Sequence, residues 1–131
     1  MLIVNCFTEK SVSASRKDST SIACYQLENI KDAKKFGVIS IDENNKIINI
    51  EEKPREPKSN LVVTGIYIIK KEDIKKMLEF LEISRKEGRL NPSFSLTFFM
   101  IDLYKKQSVF AFPFQGEWID IGSLEDYEKV K

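Results

Sequence analysis

Residues 20–27 (TSIACYQL) are rich in β-formers and put Ile22 and Cys24 on one face, which predicts a strand. Two further β-rich runs, 37–41 (GVISI) and 46–51 (KIINIE), flank Asp42-Glu43-Asn44-Asn45. Asn44 or Asn45 tolerates the left-handed backbone that a tight turn requires, so the pair reads as a hairpin. Pro54 and Pro57 break regular structure and make 53–60 an exposed loop. The nearly continuous apolar run 61–69 (LVVTGIYII) has strand length and predicts a strand buried on both faces. Gly65 interrupts it, as glycine does where a backbone or a ligand approaches closely.

The period then changes. Residues 71–86 carry Ile74, Met77, Leu78 and Leu81 at helical spacing among charges, and Gly88 follows as a stop. Residues 89–94 read as a loop and 95–106 (SLTFFMIDLYKK) as a second, more buried helix. A strand at 108–114, a turn at Gln115-Gly116 and a short strand at 117–121 come next. Ser123 caps a last helix, 124–130, with Asp126 at capping-box spacing. Strands mixed with helices indicate an α/β layered architecture, and the hairpin makes its sheet mixed. With no repeat and no linker, residues 1–131 read as a single domain.

Composition narrows the chemistry. The 21 basic and 20 acidic residues leave a net charge of +1, which gives no electrostatic reason to expect nucleic acid or an anionic membrane as partner. The chain has no histidine, which excludes serine–histidine and cysteine–histidine hydrolysis and removes the commonest zinc ligand. Cys6 and Cys24 lack metal-ligand spacing and read as small buried hydrophobes. No apolar run reaches the ~20 residues of a membrane span, and residues 1–7 lack a signal peptide's basic start. A cytoplasmic location is the expectation.

Three local groupings carry candidate chemistry, and each also has a purely structural reading. Glu51-Glu52-Lys53-Pro54 is either a solvated charged loop or a sugar-phosphate site. In the second case Glu52 accepts from hydroxyls and Lys53 faces phosphate. Thr64-Gly65-Ile66-Tyr67 is either strand packing with a core tyrosine or a wall for a sugar ring. Trp118 and Asp120 alternate with Ile119 and Ile121 and so share a strand face. There Asp120 either helps to cap the next helix or offers one oxygen ligand to Mg²⁺.

The run FGVISIDENNKIINIEEKPREPKSNLVVTGIYII, followed after two helices by VFAFPFQGEWIDIGSLEDYEKV, closely resembles the sugar nucleotidyltransferase family. That family includes glucose-1-phosphate thymidylyltransferases, and the likeness covers about residues 20–131. It implies the C-terminal half of a Rossmann-like nucleotidyltransferase (nucleotide-diphospho-sugar transferase) fold. It further implies that Gly37, Glu52, Lys53, Gly65, Tyr67 and Trp118 bind the sugar phosphate. Lys53 and Asp120 are then catalytic, with Asp120 on Mg²⁺. The implied reaction joins a sugar-1-phosphate to a nucleoside triphosphate, giving a nucleotide sugar and pyrophosphate, by positioning and charge neutralisation.

The sequence also departs from the family pattern. Its first glycine is Gly37, so it has no Gly-rich, arginine-bearing loop of the GxGTRL type to bind nucleotide phosphates. Residues 1–12 hold no aspartate, so the family's second metal ligand is missing too. Phe36 stands where many members have tyrosine. The expectation is therefore a partial domain, the sugar-phosphate half without the nucleotide half, inactive alone as a truncated form. It would bind sugar-1-phosphate, and a nucleoside triphosphate only when the other half is supplied. The alternative is a non-catalytic sugar-phosphate-binding module, or the partner subunit of a split enzyme. Exposed sheet edge would favour a homo-oligomer.

Overall fold

The Asp42 side chain begins the architecture by closing a turn. Its Oδ1 accepts the backbone N–H groups of Asn44 and Lys46, both at 2.9 Å, and Asn45 takes the left-handed conformation (φ 60°). The flanking strands, β3 (Gly37–Ile41) and β4 (Ile47–Glu52), pair antiparallel as the predicted hairpin. The computed structural model describes residues 2–4, 19–89 and 95–131. The expected 89–94 loop and Cys6 therefore lie largely or wholly outside the described residues.

Five strands form one sheet in the order β4-β3-β5-β2-β6, with β2 at Ser21–Gln26, β5 at Leu61–Ile68 and β6 at Phe110–Phe114. Strand β2 pairs antiparallel with β5 and parallel with β6, so the sheet is mixed as expected. The hairpin turn reaches back to β6, where Ile47 donates to the Val109 carbonyl (2.8 Å) and Ala111 to the Asn45 carbonyl (2.9 Å). These bonds tie the two outer strands together and curl the sheet. A separate two-stranded ribbon joins β1 (Leu2–Val4) to β7 (Trp118–Asp120). The sequence pattern offered no reading of Leu2–Val4 as a strand; three residues are too few to show a period.

Helices α1 (Lys71–Lys86), α2 (Ser95–Lys106) and α3 (Leu124–Val130) match the sequence expectation. Gly88 takes φ 68° just past α1. Helix α2 fills one face of the sheet, burying Phe99, Met100 and Leu103 against Ile22, Ile39 and Ile50. Cys24 shares that core, and burial pushes its thiol up to about 12, which keeps it protonated and inert. Ser123 caps α3 by accepting the Asp126 N–H at 3.1 Å and donates its own hydroxyl to the Asp126 carboxylate at 2.7 Å.

Two expectations need correction. The strand 61–69 is not buried on both faces throughout: Val62–Thr64 are buried, but Gly65 is exposed and Ile66–Ile68 are half-buried. The reason is a bulge. Residues 63–67 of β5 oppose only 22–24 of β2, with Gly65 at φ 82° inside it. Beyond the bulge, β3 no longer flanks β5, since their pairing covers only Leu61 and Val62.

The buried face of α1 is also rotated from the apolar stripe. Ile74 and Leu78 are 41% and 58% exposed, whereas Asp73 and Ser84 are buried and Met77 and Phe80 pack on the core. Asp73 sets that rotation. Its carboxylate accepts Thr20 Oγ1 (2.7 Å), Gln107 Nε2 (2.8 Å) and Lys76 Nζ (2.9 Å), joining the start of β2 to both long helices. Burial pushes the Asp73 carboxyl upward, but these three donors outweigh it and hold the pKa below the ordinary value.

A folded-state pKa below the unfolded one contributes stability above the unfolded carboxylate pKa, and that contribution is lost as pH falls through the folded value. Asp73→Ala should therefore cost about 2–4 kcal/mol in urea unfolding at pH 7. The gap from wild type should narrow at pH 3. A gap of the same size at both pH values would show that the ionised network is not what anchors α1.

Candidate functional site

The hairpin register sets Gly37 opposite Glu52. A Cβ built on Gly37 would stand 3.1 Å from Glu52 Oε2, 3.1 Å from Val63 Cγ2 and 3.4 Å from Thr97 Cγ2. Gly37 is thus needed for space, because its backbone does not require the left-handed region. Glu52 is half-buried beside it. Desolvation raises the Glu52 pKa, and the adjoining Lys53 charge opposes that rise only in part.

Tyr67 arrives from β5, on the core face that the bulge restores. Its hydroxyl lies 3.4 Å from Thr97 Oγ1. Burial raises the Tyr67 pKa first, the Thr97 contact lowers it, and the Glu52 charge raises it again. Tyr67 and Glu52 are therefore within electrostatic reach of one another. Three strands and the first turn of α2 meet at this point.

Lys53 continues the hairpin by one step, its N–H donating to the Phe36 carbonyl at 3.0 Å. Its φ of 45° is left-handed, a costly choice for a non-glycine residue that precedes proline. Glu52 also lines an open pocket with Glu51, Pro54, Arg55, Glu56, Phe98 and Ile101. Among the described residues nothing lies within 4 Å of a Cβ built on Gly65, whose role is torsional.

Trp118 and Asp120 belong to a different patch. The indole packs against Tyr25 (5.6 Å between centroids) and edge-on against Phe36 (5.2 Å). Its Nε1–H is buried with no acceptor among the described residues. Phe36 directly precedes Gly37, so the aromatic group abuts the hairpin end that carries Glu52 and Lys53. Asp120, two residues on, is exposed. No group of three or more histidine, cysteine or acidic side chains able to hold a metal occurs among the described residues.

The structure thus brings Gly37, Glu52 and Tyr67 together, with Lys53 next in the chain, and sets Trp118 against the neighbouring Phe36. Asp120 does not line the Glu52 pocket. Thr97, Phe98 and Ile101 were missed because α2 read only as a buried helix. The one available signal was Thr97, a hydroxyl in an otherwise apolar stretch (LTFFMI).

The profile described as nucleotidyl transferase matches residues 2–131. A glucose-1-phosphate adenylyltransferase from Clostridium acetobutylicum is 33% identical over 80% of this chain and 27% of its own length. One from Fervidobacterium nodosum is 36% identical over 82% of this chain and 25% of its own. A crystal structure from Bacillus anthracis, described as a glucose-1-phosphate thymidylyltransferase in complex with sucrose, superposes with TM-score 0.70. It shares 26% identity over 98% of this chain and 49% of that one. The fold alone extends to a CTP:phosphocholine cytidylyltransferase from Streptococcus pneumoniae, at TM-score 0.65 and 16% identity over 86% of this chain and 46% of that one. The chain spans about a quarter of the curated relatives' length and about half of the B. anthracis chain. The matched profile, the sequence relatives and the shared nucleotide-diphospho-sugar transferase fold together show that this chain belongs to the nucleotidyl transferase family.

Proposed function

We propose that the chain carries the sugar-phosphate side of a sugar-1-phosphate nucleotidyltransferase site. In that reaction a phosphate oxygen of the sugar-1-phosphate attacks the α-phosphorus of a nucleoside triphosphate, and pyrophosphate leaves. The observation that carries the reading is the meeting of Gly37, Glu52 and Tyr67 beside Lys53. Glucose-1-phosphate is the sugar substrate named for the adenylyl and thymidylyl relatives alike, whereas their nucleotides differ. It is therefore the first ligand to test.

In this reading Glu52 accepts hydrogen bonds from ring hydroxyls while the Tyr67 hydroxyl donates or accepts beside it. Lys53 neutralises the phosphate as a compact charge. The half-buried setting of Glu52 and Tyr67 strengthens their contacts relative to water. Gly65 leaves the wall open, and Trp118 buttresses the hairpin through Phe36. The chain's residues position and neutralise; none forms a bond to phosphorus.

Asp120 fits Mg²⁺ as one hard, exposed oxygen ligand, and phosphate oxygens can complete such a shell. Bound there, the ion would offset charge on the transferring phosphoryl group. We place the protein in the cytoplasm. No helix among the described residues is long and apolar enough to cross a membrane.

Three outcomes test the proposal. The chain alone should release no pyrophosphate from a nucleoside triphosphate and glucose-1-phosphate with Mg²⁺; turnover abolished by Asp120→Ala would show that it suffices by itself. Calorimetric titration should show millimolar glucose-1-phosphate binding, weakened about 10- to 100-fold by Lys53→Ala, as the loss of a charged contact worth ~1.5–3 kcal/mol implies. Equal affinities would remove Lys53 from the site.

The third outcome concerns pH. Because the Glu52 pKa is raised, acidification protonates this carboxylate earlier than an ordinary one near ~4.3. Binding should fall as pH drops through that raised value, on top of any change from the ligand's own phosphate. Glu52→Gln should remove this acid limb; a variant with the wild-type pH profile would assign the limb to the phosphate alone.

A further inference from the structure

Thr97 lies in the first turn of α2 and is 9% exposed. It touches the candidate site at two points. Its hydroxyl is 3.4 Å from the Tyr67 hydroxyl, and its methyl is 3.4 Å from where a Gly37 side chain would begin. Glu52 Oε2 and Val63 Cγ2 approach that same point, each at 3.1 Å. A buried hydroxyl normally finds a partner, and the structure offers this one the phenol of the tyrosine that couples electrostatically to Glu52. At 3.4 Å the contact is longer than the usual O–H···O bond. It therefore guides the phenol more than it clamps it.

We propose that Thr97 is a positioning residue for sugar recognition: it orients the Tyr67 phenol so that this hydroxyl and the Glu52 carboxylate form a paired donor and acceptor for adjacent hydroxyls of a pyranose phosphate. The inference rests on the sugar-phosphate reading above and deepens it by assigning α2 to the site. A carboxylate supplies only acceptors, and a phenol can supply a donor, so the two together suit a vicinal diol. Thr97 fixes which way the phenol points. Its methyl, close against the Gly37 backbone, fixes where Thr97 itself sits.

The test compares Thr97→Val, which keeps the shape and removes the hydroxyl, with Thr97→Ser, which keeps the hydroxyl and removes the methyl. Thermal unfolding first establishes that both variants fold. Alkaline ultraviolet titration then follows the phenols; the chain has four tyrosines, and subtraction of Tyr67→Phe isolates the one of interest. Thr97→Val should move the Tyr67 transition to higher pH, because the contact that favours the phenolate is gone, and Thr97→Ser should leave it near wild type. In calorimetric titration with glucose-1-phosphate, Thr97→Val should weaken binding about five- to tenfold and Thr97→Ser less than about twofold, the scale of one neutral hydrogen bond.

A Thr97→Val variant equal to wild type in both measurements overturns the proposal. So does a Thr97→Ser variant as impaired as Thr97→Val with the Tyr67 transition unmoved, which would leave only packing. Wild type that binds no sugar phosphate would sink the reading of the site itself. In that case the Tyr67 titration still decides whether Thr97 holds the phenol, and an unmoved transition overturns that too.

Discussion

The candidate site depends on one omitted side chain. Gly37 stands opposite Glu52 in the hairpin ladder, and its missing Cβ is the space into which the Glu52 carboxylate, Val63 and Thr97 converge. Any other residue would push at least one of these away, and interiors are too densely packed to absorb that freely. Gly65 shows the contrast. No described residue crowds it and its torsion demands it, so the two glycines serve the site by unrelated physics. One lets the carboxylate in; the other takes the left-handed turn within the β5 bulge that precedes Tyr67.

Holding a carboxylate there has consequences that pass along the chain. Desolvation disfavours the Glu52 charge, and the neighbouring Lys53 offsets it only partly. Lys53 is itself held in a left-handed conformation before Pro54, a strain of roughly 1–3 kcal/mol. The hydrogen bond from its N–H to the Phe36 carbonyl extends the ladder one step past the Gly37–Glu52 pair. The register that fixes Glu52 therefore fixes Lys53 as well. A hairpin slipped by one residue would turn both side chains to the wrong face together.

Much of this was legible from residue order alone, where local rules decide. Asp42 and Asn45 announced the turn, Gly88 the end of α1 and Ser123 the start of α3, because each acts on backbone within a few residues of itself. Glu52 and Lys53 were legible as candidates from their chemistry beside a proline. What escaped is what depends on distant partners. Asp73 reads as a surface charge, yet Thr20 before β2 and Gln107 after α2, with Lys76 of its own helix, hold it buried and turn α1 away from its apolar stripe. The β5 bulge requires knowing which strand lies opposite. Thr97 looks like filler in an apolar helix until the fold sets Tyr67 and Gly37 beside it. Leu2–Val4 forms a strand only because Trp118–Asp120 is there to pair with it.

Phe36 joins the two halves of the argument. By the family resemblance, Phe36 stands where many members have tyrosine and so carries one hydroxyl fewer. In the structure its ring meets Trp118 edge-on, and its carbonyl receives the Lys53 N–H. Neither interaction needs a phenolic oxygen, and a purely apolar ring suits the cluster formed by Ala33, Val38 and Val62. Through Phe36 the ribbon carrying Asp120 is braced against the hairpin carrying Lys53. Aromatic packing of this kind is stiff and falls off steeply with distance. Apolar contact at Phe36 thus helps to set where Lys53 and Asp120 stand relative to one another.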